Sequence, residues 1–352
     1  MLDLIGDTGL VALFGALGGV VLGLAARIGR FCTMGAIEDL LYGGSSVRMR
    51  MWVLAIGVAV IGAFGLTHIG WLDPQDSYYL SIRWMPLASI LGGLAFGYGM
   101  ALSGNCGFGA IARLGGGDLR AFVIVLVMGV SAYVVLNGPL AGLRAWAFPQ
   151  QGVTDDLPPG IVHMLAHWTG GPLTWLGIGI GLALTLGALA SRTFLSQPAS
   201  VFWAVMVGLA ITSGWAGSAY VAAHGFTALP VVSHSFAAPV GETLLYTMTS
   251  SARAPSFAVG SIAGVVLGAF VGSLIKGHFR WEACEDPLEL RRQILGAALM
   301  GGGAVLAMGC TVGQGLSAFS VLSFSAPITF LSIFAGAALG LRQLIEGFQP
   351  AE

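Results

Sequence analysis

The sequence predicts an all-α integral membrane protein with about nine transmembrane helices, short re-entrant half-helices and two inverted, pseudo-symmetric halves. Composition is the first reason. Of the 352 residues, 56% are hydrophobic and 9% are charged, whereas soluble domains carry about 25% charged residues. The second reason is glycine, which contributes 55 residues, because small residues let membrane helices pack closely and also mark helix breaks. The third is a cysteine motif that occurs three times.

Apolar segments of membrane-spanning length set the predicted topology, since a spanning helix requires about 20 mostly apolar residues. They lie at about 8–30, 50–70, 84–104, 119–137, 171–191, 199–213, 256–275, 290–309 and 326–344. The first lacks the basic residues of a cleaved signal peptide, so we expect a retained span. The segment from Trp215 to Ser251 is too polar to cross and is expected to re-enter the bilayer. We assign 1–148 to the first half, 149–170 to a connecting loop and 171–352 to the second half.

The distribution of Lys and Arg predicts the orientation, because these residues accumulate in short cytoplasmic loops. With alternating spans, Arg83, Arg144 and Arg253 fall on one side of the membrane and the other twelve basic residues on the opposite side. The larger group is Arg27, Arg30, Arg48, Arg50, Arg113, Arg120, Arg192, Lys276, Arg280, Arg291, Arg292 and Arg342. This bias predicts a multi-pass protein with its N-terminus outside and its C-terminus in the cytoplasm.

Three predicted helix breaks carry the same Cys-x-x-Gly motif. The copies are Cys32-Thr33-Met34-Gly35, Cys106-Gly107-Phe108-Gly109 and Cys310-Thr311-Val312-Gly313. The first two follow spans that run inward and the third follows a span that runs outward. This predicts inverted repeats, and transporters bind their cargo near the axis that relates such repeats. A fourth copy is expected at Gly214-Trp215-Ala216-Gly217, where glycine stands in place of the thiol.

The motif has the chemistry of a path for an anion. A helix that restarts after a break points free N–H groups into the gap, and glycine lets a ligand approach the backbone. Protonated thiols are weak, polarizable donors that suit a soft, sulfur-bearing anion. Glu242 is a candidate proton-coupling carboxylate within the membrane. The predicted substrate-binding residues are Cys106, Cys310, Cys32, Asn105, Gly107, Gly109, Thr311, Gly313 and Gln314.

Each of these assignments has a structural alternative. A single cysteine in an apolar helix is commonly a small hydrophobe. Asn105 and Gln314 would then be helix caps, and Glu242 would make a structural hydrogen bond to a helix end. Cys284 lies in a charged loop and is given no role. The acidic residues near the first motif are expected to form ion pairs with nearby arginines: Glu38 and Asp39 with Arg27, Arg30 or Arg48.

These residues resemble the YeeE/YedE family of bacterial inner-membrane transporters of sulfur compounds, typified by thiosulfate uptake. The likeness rests on the segments 29–39, 103–110 and, most specifically, Met308-Gly309-Cys310-Thr311-Val312-Gly313-Gln314-Gly315. The resemblance implies inverted halves, half-helices that meet at the membrane centre, and cysteines that pass thiosulfate along a narrow path by S–H hydrogen bonds. It implies a small sulfur-containing anion as cargo, with another sulfur or selenium species as the alternative to thiosulfate, and leaves any cytoplasmic sulfur-carrier partner unidentified. The sequence differs from this pattern at Gly214, where a further thiol would be expected in the second half of the chain.

Other function classes are less well supported by the sequence. A net charge of −1 argues against nucleic-acid binding, which requires a basic surface. The sequence contains no phosphate-binding loop motif, so ATP-driven transport is not indicated. Four cysteines without a Cys-x-x-Cys pair argue against a disulfide framework or a zinc site, so no metal or cofactor is predicted. A membrane thiol enzyme remains the rival, with Arg30 beside Cys32 as its best support. Soft-metal transport ranks last because the methionines do not cluster.

Overall fold

The computed structural model of the chain describes residues 2–153, 157–282 and 286–347, with side chains from Gly6 onward. Cys284 lies outside the described residues. The described part is helical, with a 3-10 turn at Pro74–Asp76 and a π-helical segment at Gly313–Ala318. The α-helices are α1 Leu2–Arg27, α2 Thr33–Leu41, α3 Val47–His68, α4 Tyr78–Ser81, α5 Pro86–Ser103, α6 Gly107–Gly115, α7 Leu119–Leu136, α8 Ala141–Ala147, α9 Ile161–Thr169, α10 Leu173–Leu189, α11 Arg192–Leu195, α12 Pro198–His224, α13 Ala238–Thr249, α14 Phe257–Lys276, α15 Pro287–Leu306 and α16 Ser325–Glu346.

Within the described residues, seven helices are long and apolar enough to cross a membrane. They are Gly6–Arg27, Val47–His68, Pro86–Gly115, Leu119–Leu136, Pro198–His224, Phe257–Lys276 and Ser325–Glu346. The range Pro86–Gly115 comprises α5, the break at Cys106 and α6. The remaining two predicted spans correspond to α10, which has 17 residues, and to α15. The first turns of α15 carry Glu289, Arg291 and Arg292, which lowers its mean hydropathy. The all-helical membrane fold is therefore confirmed, and the number nine stays a prediction.

The helix break expected at Gly214 is absent, and this prediction is wrong. Gly214 and Trp215 lie inside α12, which runs without interruption to His224. Gly214 serves close packing, because a Cβ there would lie 2.6 Å from the Ser233 hydroxyl. The indole of Trp215 is fully buried and donates a hydrogen bond to Ser320 at 2.8 Å. The interruption in this region comes later, between α12 and α13.

The helices form four units of similar build, each a long helix, a break, a short helix and a second long helix. The units are α1–α3, α5–α7, α12–α14, and α15 with the helical stretch 311–320 and α16. The short helices have far fewer than the about 20 residues needed to span a bilayer. The first unit packs against the third, because α1 contacts α12 and α14. The second unit packs against the fourth in the same way, because α5 contacts α15 and α16. The inverted relation between halves stays a prediction.

Glycine lets these long helices touch along their backbones. Gly92 of α5 and Gly303 of α15 face each other. A Cβ on either residue would lie 2.7 Å from the carbonyl oxygen of the other. Gly99 and Gly296 meet in the same reciprocal way at 2.5 Å. Such contacts leave no room for any side chain, so these glycines fix the distance between the helices that carry the second and fourth breaks.

Candidate functional site

The three cysteine breaks share one backbone geometry. Two residues before each cysteine, the chain adopts a positive φ: 54° at Arg30, 71° at Gly104 and 55° at Met308. A residue with a side chain pays about 1–2 kcal/mol for this left-handed conformation, and it is uncommon outside glycine. Its recurrence at the same position, twice at non-glycine residues, supports the repeat that the Cys-x-x-Gly spacing predicted.

Each cysteine is the residue that precedes a new helix. Cys32 and Cys106 are the N-caps of α2 and α6, with extended backbone, and Cys310 precedes the stretch 311–320. The Gly109 N–H donates to the Cys106 sulfur at 3.3 Å, and the Gly313 N–H donates to the Cys310 sulfur at 3.4 Å. Because a side-chain acceptor at the N-cap commonly binds the N–H three residues later, the Cys-x-x-Gly spacing is a capping motif with sulfur as the acceptor. Cys32 makes no such bond.

Cys310 is fully buried and is held by the segment that precedes α13. The Phe236 N–H donates to its sulfur at 3.2 Å, and the Ser235 hydroxyl lies 3.8 Å from the same atom. Gly313 is required here, because a Cβ at this position would lie 2.6 Å from the Ser235 hydroxyl and 3.4 Å from that of Tyr79. Two hydroxyl groups and a main-chain amide therefore surround the approach to this thiol.

Tyr79 supplies a neutral donor next to Cys310. Its ring is buried and packs edge-on against Trp215, with centroids 6.5 Å apart. Burial raises the pKa of the Tyr79 phenol, and the nearby Cys310 and Tyr78 act in the same direction. The hydroxyl thus keeps its proton and can donate a hydrogen bond to an oxyanion.

Cys106 is fully buried and lies where the three motifs meet. The Thr33 hydroxyl, from the first motif, donates toward its sulfur at 3.9 Å. Thr311, from the third motif, lies beside the Cys106 thiol and makes at most a weak contact with it, because its buried hydroxyl has no hydrogen bond of good geometry within the described residues. A buried hydroxyl that is bonded so weakly is costly, so a ligand at this point would satisfy it better.

Phe236 connects the two buried thiols. Its N–H binds Cys310, and its carbonyl oxygen lies 3.0 Å from where a Gly107 Cβ would stand, which explains why glycine follows Cys106. The Phe236 ring packs against Phe108 with centroids 5.2 Å apart. The side chain of Phe236, which is fully buried, thus fills space between the second and fourth breaks.

A cavity of about 570 Å³ leads toward Cys310 from the end of the molecule where α1 begins and α7 ends, since Thr8 and Leu136 line it. Its floor, defined here as Tyr79, Ser235 and Gly309, adjoins Cys310 directly. Neither Cys310 nor Cys106 is among the residues that line this cavity, and both are fully buried. The cavity therefore ends at residues that contact Cys310, and Cys106 lies further from it, on the other side of Phe236.

The other predicted site residues differ in how the structure uses them. The Gln314 amide donates to the carbonyl oxygens of Ala307 and Met308 at 2.8 and 3.2 Å, which favours the helix-cap alternative, and its contact with cargo stays a prediction. Asn105 is buried and its side-chain oxygen lies near Gly109. Cys32 is half-buried, so it is the most accessible of the three thiols.

The structure also bears on the predicted roles of two acidic residues, Glu242 and Asp39. Glu242 lines the cavity and accepts a hydrogen bond of 2.6 Å from Ser256, the N-cap of α14. This favours the structural alternative for Glu242, and its coupling role stays a prediction. Asp39 forms the expected ion pair with Arg48 at 3.2 Å. In the part of the chain that the structure describes, no cluster of His, Cys, Asp and Glu could hold a metal ion.

Sequence reasoning missed Tyr79, Ser235 and Phe236. All three belong to segments that carry no cysteine, and they reach Cys310 only through tertiary folding. The available signal was Ala238-Pro239 at the start of α13, because proline in the first turn marks a new helix and hence a fourth break just upstream.

Comparison with known proteins relates the chain to transporters of sulfur compounds. Residues 28–339 match the profile of a family described as Sulphur transport. The chain is 26% identical over 340 residues to the thiosulfate transporter TsuA of Spirochaeta thermophila, which covers 92% of this chain and 96% of that protein. It is 24% identical over 341 residues to the thiosulfate transporter TsuA of Escherichia coli, which covers 92% of each. A match of 30% identity over 105 residues to the probable transporter YedE of Escherichia coli covers 30% of this chain and 23% of that protein.

Proposed function

Because the chain belongs to the Sulphur transport family, we propose that it imports thiosulfate across the bacterial inner membrane by passing the ion between protonated thiols at its helix breaks. Membership of this family makes the chain a transporter and not a membrane thiol enzyme. The observation that carries the proposed mechanism is the placement of Cys310 beneath an open cavity, with Cys106 behind it across Phe236.

The capping geometry leaves the two buried thiols, Cys310 and Cys106, ready to donate. Main-chain N–H groups bind the sulfur atoms of Cys310 and Cys106, so the lone pairs are occupied while the S–H hydrogen remains available for an anion. The same helix starts present the positive ends of their peptide dipoles to the gap. A dianion in an apolar membrane interior is otherwise costly, and these groups offset part of that cost without a fixed positive charge that would trap the ion.

The ion would meet three stations in order. The first is Cys310 with the hydroxyls of Ser235 and Tyr79 at the cavity floor. The second is Cys106 with the hydroxyl of Thr33 and that of Thr311 beside it. The third is Cys32, whose thiol is partly exposed. Several weak sites in series suit conduction, because the cargo must leave as readily as it binds.

Passage from the first station to the second requires Phe236 to move. Its ring is fully buried against Phe108, and the cavity stops at the floor residues on the Cys310 side. We assign Phe236 as the gate between the two buried thiols. The cavity lies on the side of the N-terminus, which the Lys and Arg distribution places outside the cell, so the first station faces the external solution.

The test is uptake of radiolabelled thiosulfate into proteoliposomes that contain the purified protein, with sulfate, sulfite and selenite as competitors. We expect saturable uptake that sulfate does not compete away. Cys310→Ala and Cys106→Ala should each reduce uptake to the level of empty liposomes, while Cys284→Ala, outside all three motifs, should retain it. Normal uptake by either motif variant at matched protein content would refute the thiol path.

A further inference from the structure

The cavity above Cys310 is much larger than a small inorganic anion needs. One water molecule requires about 10–15 Å³ of cavity volume, and this cavity offers about 570 Å³. Pockets of about 300–1,000 Å³ are typical for organic ligands. Thiosulfate has five heavy atoms, so most of the space lies outside any contact that the ion makes with the floor.

The cavity is divided by polarity. Its floor offers the hydroxyls of Tyr79 and Ser235 next to the Cys310 thiol. The surrounding wall is mostly apolar, and we define it by six residues that line the cavity away from the floor: Val11, Leu136, Leu229, Val231, Phe257 and Val305. A ligand that fills this space with favourable contacts would have a small polar head and an apolar body.

The charge of the lining favours a single negative charge over two. No Lys or Arg is found among the described residues that line the cavity, and Glu242 contributes a carboxylate. Replacing one oxygen of thiosulfate by an aryl ring removes one charge, keeps the terminal sulfur and adds apolar surface. Both changes suit this lining, since an uncompensated charge is costly and buried apolar area is favourable.

We propose that this cavity binds monoanionic aryl thiosulfonates, with the sulfur-bearing head on the floor and the aromatic ring against the wall, and that they block thiosulfate uptake. The head site is the first station of the proposed function, on which this inference rests. The block follows from packing: beyond the floor, Cys310 and Phe236 are fully buried, so a group the size of a phenyl ring stays in the cavity. Binding is non-covalent and reversible on dilution.

The first experiment compares two anions in the proteoliposome assay. Methanethiosulfonate and benzenethiosulfonate share the same head and charge and differ only in a methyl or phenyl group. We expect both to compete with thiosulfate, with an inhibition constant at least about tenfold lower for the phenyl compound, which corresponds to about 1.4 kcal/mol. Equal inhibition constants, or inhibition that thiosulfate does not relieve, would overturn the proposal.

A pair of variants on one helix tests the wall. Leu136→Ser removes an apolar wall residue, whereas Leu126→Ser changes an exposed residue of the same helix that does not line the cavity. Leu136→Ser should weaken inhibition by benzenethiosulfonate about threefold and leave inhibition by methanethiosulfonate unchanged, and Leu126→Ser should alter neither. The same shift in both variants would contradict the wall assignment.

Calorimetric titration of the purified protein with benzenethiosulfonate separates this inference from the proposed function. Binding without any thiosulfate uptake by the liposomes would disprove the transport proposal and support the cavity. Thiosulfate uptake with no heat of binding and no inhibition by the aryl compound would leave the transport proposal standing and refute the cavity ligand.

Discussion

Replacing Gly313 by alanine should damage the first station more than it damages the fold. The added Cβ would lie 2.6 Å from the Ser235 hydroxyl and 3.3 Å from the Ser235 Cβ, so the segment before α13 must shift. Overpacking of this kind costs about 1–3 kcal/mol, and alanine returns about 1 kcal/mol through its better helix propensity. The net loss of stability is therefore about 0–2 kcal/mol, whereas Ser235 and Phe236 are displaced from Cys310.

The uptake assay should show this displacement as a higher KM for thiosulfate. A loss of about 1–2 kcal/mol in binding raises KM roughly 5- to 30-fold. Gly302→Ala is the matched control, because the nearest atom to its added Cβ lies 3.6 Å away on Val135 and its KM should stay at the wild-type value.

A double variant identifies the cause. If the clash with Ser235 is responsible, Gly313→Ala combined with Ser235→Ala should have a KM no higher than Ser235→Ala alone, because contacting residues show non-additive effects. Strictly additive increases, or a wild-type KM for Gly313→Ala at normal expression, would refute the reasoning.

Three further predictions follow from single contacts. Thr311→Val keeps the shape of a fully buried side chain but removes a hydroxyl that makes no hydrogen bond of good geometry within the described residues. Uptake should fall about tenfold, while thermal unfolding shows equal or greater stability, and a destabilised variant would contradict the ligand role. Tyr79→Phe should lower uptake several-fold. Because burial raises the pKa of Tyr79, the phenol stays protonated, and the ratio of wild-type to variant uptake should be constant from pH 7 to about pH 9; a ratio that falls in this range would disprove the assignment. Gln314→Leu leaves the carbonyl oxygens of Ala307 and Met308 unpaired and should lower the free energy of unfolding by about 1–3 kcal/mol, measured by thermal unfolding in detergent, with no change expected if Gln314 served the cargo alone.

Local chemistry made the breaks predictable from sequence. The Cys-x-x-Gly motif predicts a helix start from local spacing alone, because an N-cap acceptor and the N–H that it binds are three residues apart. The breaks at Cys106 and Cys310 follow this rule. The break at Cys32 also appears where the motif predicts it, although its sulfur makes no capping bond. The long apolar helices were predictable for the same reason, since spanning length and hydropathy are properties of a single segment.

Tertiary contacts explain what the sequence did not reveal. Polar residues after Trp215 indicated a segment that could not cross, yet α12 continues to His224 because partners elsewhere in the chain satisfy them. The Ser218 hydroxyl donates to the Val232 carbonyl oxygen at 2.7 Å, and the Trp215 indole donates to Ser320. Ser235 lies 75 positions from Cys310 in the chain, and no local pattern encodes that contact.

The third unit has no cysteine at its break, and the contacts between breaks indicate that such a break can act through other donors. In the first half, the break before α2 supplies the Thr33 hydroxyl to the sulfur of Cys106 in the next unit. In the second half, the break before α13 supplies the Phe236 N–H and the Ser235 hydroxyl to the sulfur of Cys310 in the next unit. Each half thus has one break that bears a buried thiol and one that supports it, and a supporting break needs donors rather than sulfur. Cys32 is the exception to this pattern, and its partial exposure without a capping bond suits its proposed place as the last station, from which the ion would leave.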